Sequence, residues 1–106
     1  MGIDVFRGPT HFRVQPANVE AFERVFEQTW LGDCWVLIKD AQGAITDIQQ
    51  SCVPGPPFEF GDMEKLAPFV EAGSFITHES FWGDDVWRFT FHGDSVTEDT
   101  VPLEER

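Results

Sequence analysis

The chain has 106 residues, 42% of them hydrophobic, with eleven Phe, four Trp and no Tyr. That is the size of one domain with one packed core, and the composition excludes disorder over most of its length. Nineteen acidic against seven basic residues give a net charge of −12, a field that repels nucleic acid and anionic membrane and attracts cations or basic proteins.

The acids are unevenly placed. Twelve lie between Glu59 and Glu105, opposed there only by Lys65 and Arg88, whereas residues 1–58 carry seven acids and four bases. No apolar run approaches the roughly 20 residues that span a bilayer. The N-terminal MGIDVFRG has no apolar stretch of the signal-peptide kind, and Phe6 stands where a myristoylation signal needs Ser or Thr. Cys34 and Cys52 sit in no CxxC pair and no zinc-finger spacing. They are read as buried small hydrophobes in a reducing compartment, so a cytoplasmic setting is expected.

Taken in chain order, THFRVQ (10–15) alternates and predicts a strand. Pro16 opens a helix, with Asn18 as a cap-type residue in its first turn. Val19, Phe22, Phe26 and Trp30 recur at spacings of three and four, so the helix is expected to run to about Trp30 and stop at Gly32. Glu20, Glu23, Arg24, Glu27 and Gln28 face away from that stripe. Trp35–Lys39 and Ala44–Gln49 predict a β-hairpin around Asp40-Ala41-Gln42-Gly43.

The segment SCVPGPPFEFG (51–61) holds three of the seven prolines and reads as an extended connection within one domain. A second helix is expected from Asp62 to Gly73, with Met63, Leu66, Phe69 and Val70 inward. Pro68 must kink it or split it into two short turns. The remainder predicts a three-strand meander, 74–82, 86–92 and 95–101, with Gly83-Asp84 and Gly93-Asp94 at its corners in the same turn chemistry. An acidic tail, 102–106, follows.

Within the meander, Trp87, Phe89 and Phe91 share one face and define the core side. The first hairpin admits two registers. A two-residue turn pairs Glu79 with Arg88 and turns His78 and Ser80 toward the core. A three-residue loop, Gly83 to Asp85, turns Phe75 and Phe81 inward and leaves Ile76, His78 and Trp82 beside Arg88 and His92. The second is preferred because it buries two phenylalanines. It exposes Trp82 next to Asp84 and Asp85 as an anchor for a protein partner. The competing reading packs Trp82 on the connection that carries Phe58 and Phe60.

No catalytic, cofactor-binding or metal motif appears. His11, His78, His92 and the two cysteines lack ligand spacing. Asp84-Asp85 at a solvated tip has no means of tuning a catalytic pKa. No glycine-rich loop leads into a helix, and no Ser or Cys sits in a nucleophile elbow.

Two local resemblances add context. FRVQPANVEAFERVFEQ (12–28) resembles the strand–Pro–helix opening of antibiotic-biosynthesis monooxygenase-type dimeric α+β barrels. That resemblance implies a dimeric enzyme or ligand-binding domain with a pocket between sheet and helices. Residues 62–101, including GSFITHESFWGDDVWRFTFHGDSV, are similar to small uncharacterised α+β proteins of bacteria and their phages, which implies a phage or mobile-element setting.

The expectation is therefore a single α+β domain over 1–106, with an antiparallel sheet of about five or six strands and two helices on one face. Its core should draw on Phe12, Val14, Phe22, Phe26, Leu37, Leu66, Phe69, Val70, Trp87, Phe89 and Phe91. The expected function is a non-enzymatic acidic module that occludes a basic surface of a partner protein, as an inhibitor of a nucleic-acid-handling enzyme or an immunity protein would. Trp82, Asp84, Asp85, Asp94, Glu98 and Asp99 are its expected contact residues.

Overall fold

In a computed structural model, which describes residues 4–83, 85–102 and 104, the chain forms an α+β fold. Strand β1 (Val5–His11) precedes helix α1 (Pro16–Glu27), and strands β2 (Trp35–Lys39) and β3 (Ile45–Gln50) follow. Helix α2 (Phe60–Leu66) then leads to the meander β4 (Phe75–Ser80), β5 (Val86–Phe91) and β6 (Val96–Thr100). The strands divide into a four-stranded sheet, β1-β4-β5-β6, and a separate pair, β2-β3, rather than one continuous sheet.

β1 lies earlier than the alternation of residues 10–15 predicts. Gly8 and Pro9 read as strand breakers, yet a bulge between Arg7 and Thr10 takes them out of the ladder, so Pro9 has no donor to lose. Gly8 also answers a packing demand: a Cβ there would meet the Glu79 carboxylate at 2.9 Å and the Thr77 side chain at 3.0 Å. Of the predicted strand, Thr10 and His11 form the end of β1, paired with Ile76 and Phe75, and Val14 makes an isolated bridge to Ile45.

α1 ends at Glu27, before the predicted Trp30. The Thr29 hydroxyl donates to the Phe26 carbonyl at 2.6 Å and accepts the Leu31 amide at 3.2 Å, which turns the chain into a short 3-10 turn, Leu31–Asp33. Asn18 makes no side-chain cap. α2 starts at Phe60, two residues before the predicted Asp62, and Pro68 divides the predicted helix into α2 and a 3-10 turn, Ala67–Phe69.

The core forms where α1, α2 and the β2-β3 pair meet one face of the four-stranded sheet. Phe22 and Phe26 from α1, Met63 and Leu66 from α2, and Trp35, Ile45 and Ile48 from the hairpin join Ile76, Phe89, Phe91 and Val96. Phe12, Val14 and Val70 belong to the same cluster, and Leu37, Phe69 and Trp87 pack against it partly buried.

The β4-β5 register overturns the preferred reading. Pairs His78↔Trp87 and Ile76↔Phe89 place His78 and Ile76 on the core face, both at 0% exposure, while Phe81 is 47% exposed. The loop is neither two nor three residues long. Ser80 N–H donates to the Asp85 carbonyl at 2.8 Å, so the connection spans 81–84, of which Asp84 lies outside the described residues. Sacrificing Phe81 lets one strand present Ile76, His78 and Ser80 inward, whereas the other parity would turn Ile76 to solvent and Glu79 to the core. The second corner is a two-residue turn, since His92 N–H reaches the Ser95 carbonyl at 2.8 Å, with Gly93 at φ +108°. The two corners thus differ.

The cysteines are not free thiols. Cys34 and Cys52 form a disulfide with a Cα–Cα separation of 4.9 Å. Ser51 N–H donates to the Cys34 carbonyl at 2.8 Å, extending the β2-β3 ladder by one pair and delivering Cys52 beside Cys34. A bridge closing a separation of 18 residues contributes about 3 kcal/mol by the chain-entropy relation. Reduction, or Cys34→Ala with Cys52→Ala, is expected to lower the unfolding free energy by about that amount while the circular dichroism stays native. Thiol titration of the native protein should find no free sulfhydryl; two reactive thiols in air-purified protein would overturn the pairing.

Candidate functional site

The exposed aromatic cluster stands at the β4-β5 tip. Trp82 is 80% exposed, the Phe81 ring lies against it at 5.2 Å, and Phe6 of β1 stacks on Phe81 at 5.9 Å. The Phe81 amide donates to the Asp4 carbonyl at 2.9 Å, tying the tip to the segment before β1. Asp4, Glu79 and Asp85 are exposed around these rings. Glu79 pairs in register with Phe6 and Val86 and therefore shares their face of the sheet, the one turned from the core.

No ion pair engages Asp4, Glu79 or Asp85 among the described residues. Among the described residues, the ion pairs are Arg7–Asp47, Arg13–Glu71, Arg24–Glu20 and Lys39–Glu23. Arg88, on the same outer face, is occupied otherwise: its Nε donates to the Thr77 hydroxyl at 2.9 Å and its guanidinium lies 4.8 Å over the Phe75 ring. A large exposed ring flanked by carboxylates suits a basic side chain, which gains cation–π and ionic contact together.

The remaining predicted contact residues do not gather there. Asp94 sits in the 93–94 turn, at the opposite end of β5 and on the order of 20 Å away for a strand of that length. Glu98 and Asp99 lie on the edge strand β6, where with Phe60 they line a shallow depression of about 470 Å³. Asp84 lies outside the described residues. The described acids among the expected contact residues thus lie in three separate places: Asp85 at the tip, Asp94 in the second turn, and Glu98 and Asp99 on β6.

The histidines do not converge. His11 packs near Phe75, and the exposed His92 has Nε2 2.9 Å from the Thr97 hydroxyl. Among the described residues, no group of three or more His, Cys, Asp or Glu is placed to hold a metal ion. His78 is a core residue surrounded by the rings of Trp35, Phe58, Trp87 and Phe89, with centroids 5.1–5.6 Å away. The Phe58 amide donates to its Nε2 at 3.1 Å, so the ring proton belongs on Nδ1. Phe58 is therefore engaged in the core and does not cover Trp82.

A second concavity escapes sequence reading. Between α1 and β2 runs a groove of about 490 Å³, with Phe26, Trp35 and Leu37 as apolar lining and Glu23, Glu27 and Asp33 as its acids. The one available signal was the Glu23/Glu27 spacing of four residues beside Phe26, which reads equally well as a solvated helix flank. Comparison with protein-family models, with curated proteins and with solved structures finds no match.

Burial lowers the His78 imidazole from its ordinary 6.5 to about 4. The fold therefore holds the neutral ring, while the unfolded chain takes up the proton from about pH 6.5 downward. Stability is undiminished above pH 6.5, falls as the pH drops from 6.5 to 4, and flattens below. The loss amounts to about 3 kcal/mol at pH 4, taking 1.36 kcal/mol per pH unit. Urea unfolding across that range measures it, and His78→Gln should flatten this part of the profile. A His78 ring resonance, assigned by its absence in His78→Gln, that titrates near 6.5 in the folded protein would refute the assignment.

Proposed function

We propose that this domain is a non-enzymatic binding module that engages a basic surface of a partner protein through the Trp82 tip. The observation that carries the reading is an 80%-exposed tryptophan among carboxylates that take part in no ion pair among the described residues, on a domain of net charge −12. Exposed indole is costly to leave in water and is enriched at the anchors of protein interfaces. The acidic field raises the encounter rate with a basic partner, and the ring supplies contact area that charge alone lacks.

Occlusion of a positively charged groove, as in a nucleic-acid enzyme or a basic toxin, uses both properties, because the acids compete for side chains that otherwise hold phosphates. Asp94, Glu98 and Asp99 lie outside this contact and act in the reading only through the long-range field. A cytoplasmic setting would hold Cys34 and Cys52 reduced, leaving the aromatic core to maintain the fold without the bridge.

Immobilised domain, incubated with host lysate at about 0.05 M and about 0.5 M salt, separates steering from packing. A basic protein captured at low salt and released at high salt is expected. Trp82→Ala with Asp85→Lys should weaken that capture at least about tenfold while leaving the melting temperature unchanged, since both side chains are exposed. Capture indifferent to the double variant would remove the tip from the reading.

A further inference from the structure

β2 belongs to the two-stranded sheet, paired with β3 on one side and, among the described residues, with no strand on the other. The ladder determines where its amides point. Cys34 accepts the Ser51 amide, while Ile45 exchanges both its bonds with Val14 on the far side of β3, past a bulge at Ile38/Lys39. In an antiparallel ladder alternate residues turn toward the partner, so Val36 and Ile38 face β3 while Leu37 and Lys39 turn their N–H and C=O groups outward. Natural sheets usually cover or distort such an edge.

This edge forms one wall of the α1-β2 groove. α1 forms the other wall with Glu23, Phe26 and Glu27, and Gly32 and Asp33 close one end. At 490 Å³ the groove falls within the roughly 300–1,000 Å³ of ligand pockets. Three carboxylates line it and no base does; Glu23 is paired with Lys39 at 3.0 Å, while Glu27 and Asp33 take part in no ion pair among the described residues. Val36, which also lines the groove, is 45% exposed.

We propose that the groove accepts an extended segment of a partner protein, which adds as a third strand to β2. Main-chain bonds form at Leu37 and Lys39. The segment's basic side chains point toward α1 and meet Glu27 and Asp33, and its intervening apolar side chains lie on the face of Val36. The charge of the lining selects the occupant: a second copy of this acidic chain would bring like carboxylates together across the edge, whereas a basic strand neutralises them. The inference is independent of the Trp82 tip, which lies on a different sheet.

The probe is a short synthetic peptide of alternating arginine and valine, titrated into isotope-labelled domain and followed by amide shifts and hydrogen exchange. Saturable binding tighter than about 1 mM is expected, with exchange at the Leu37 and Lys39 amides slowed at least about tenfold. A peptide of the same charge, N-methylated at every second residue, should bind at least about tenfold more weakly, because it cannot complete the ladder. Glu27→Lys with Asp33→Lys should weaken the parent peptide at least about tenfold, while Asp85→Lys leaves it unchanged.

Equal binding of the methylated peptide, protection confined to β6 or the 81–85 tip, absence of saturable binding, or dimerisation of the free domain through β2 would each overturn the proposal. Protection at the 81–85 tip would speak for the Trp82 contact; the other results do not bear on it, and loss of that contact leaves the peptide titration intact.

Discussion

The fold turns on the hydrogen bond from the Phe58 amide to His78 Nε2. It joins the proline-rich connection to the middle of β4, inside a box of four aromatic rings contributed by β2, the connection and β5. Both partners are buried, so leaving either unpaired carries a desolvation cost of about 1–3 kcal/mol. That cost selects one arrangement of the surrounding elements. Trp35 lies 4.4 Å from Phe58, and the hairpin carrying it is seated on the main sheet through this cluster.

Gln50 makes a second tie between the sheets. Its side-chain amide accepts the Arg7 amide at 2.9 Å and donates to the Val5 carbonyl at 2.7 Å. One side chain thus occupies backbone groups on the β1 edge that an additional strand would otherwise use. β1 is further covered by Gly55, which exchanges two bonds with Val5. The β1 edge is therefore blunted, whereas β2 has no equivalent cover, and the sheets differ in what they offer to another chain.

The acidity of the chain is distributed over this frame in a way a net charge does not convey. Four basic side chains are consumed in ion pairs with Asp47, Glu71, Glu20 and Glu23, and Arg88 lies over Phe75. Carboxylates that no ion pair engages among the described residues include those at the tip, along β6 and, as Glu27 and Asp33, in the α1-β2 groove. Exposed aromatic or aliphatic surface lies beside them in each place: Trp82, Phe60 and Val36. Exposed ion pairs of this kind contribute little to stability.

The sequence by itself determined the α+β class, the α1 stripe, the β2-β3 hairpin, the break at Pro68 and the inward face of Trp87, Phe89 and Phe91. Each is a local consequence of periodicity, of a turn residue or of a missing amide, and needs no knowledge of distant neighbours. Only the tertiary structure decided the rest. A one-residue change in loop length reverses both faces of β4, and the choice depended on whether His78 would find the Phe58 amide twenty residues away. The pairing of Cys34 with Cys52 required the ladder that brings Ser51 to Cys34, and the bulge that absorbs Gly8 and Pro9 required β4 as its partner. Trp82 is exposed because its loop extends past the last paired residues, and the acids split into three places because β5 separates its two turns by its whole length. These are long-range pairings, settled by burial and hydrogen-bond satisfaction between segments that no window along the chain contains together.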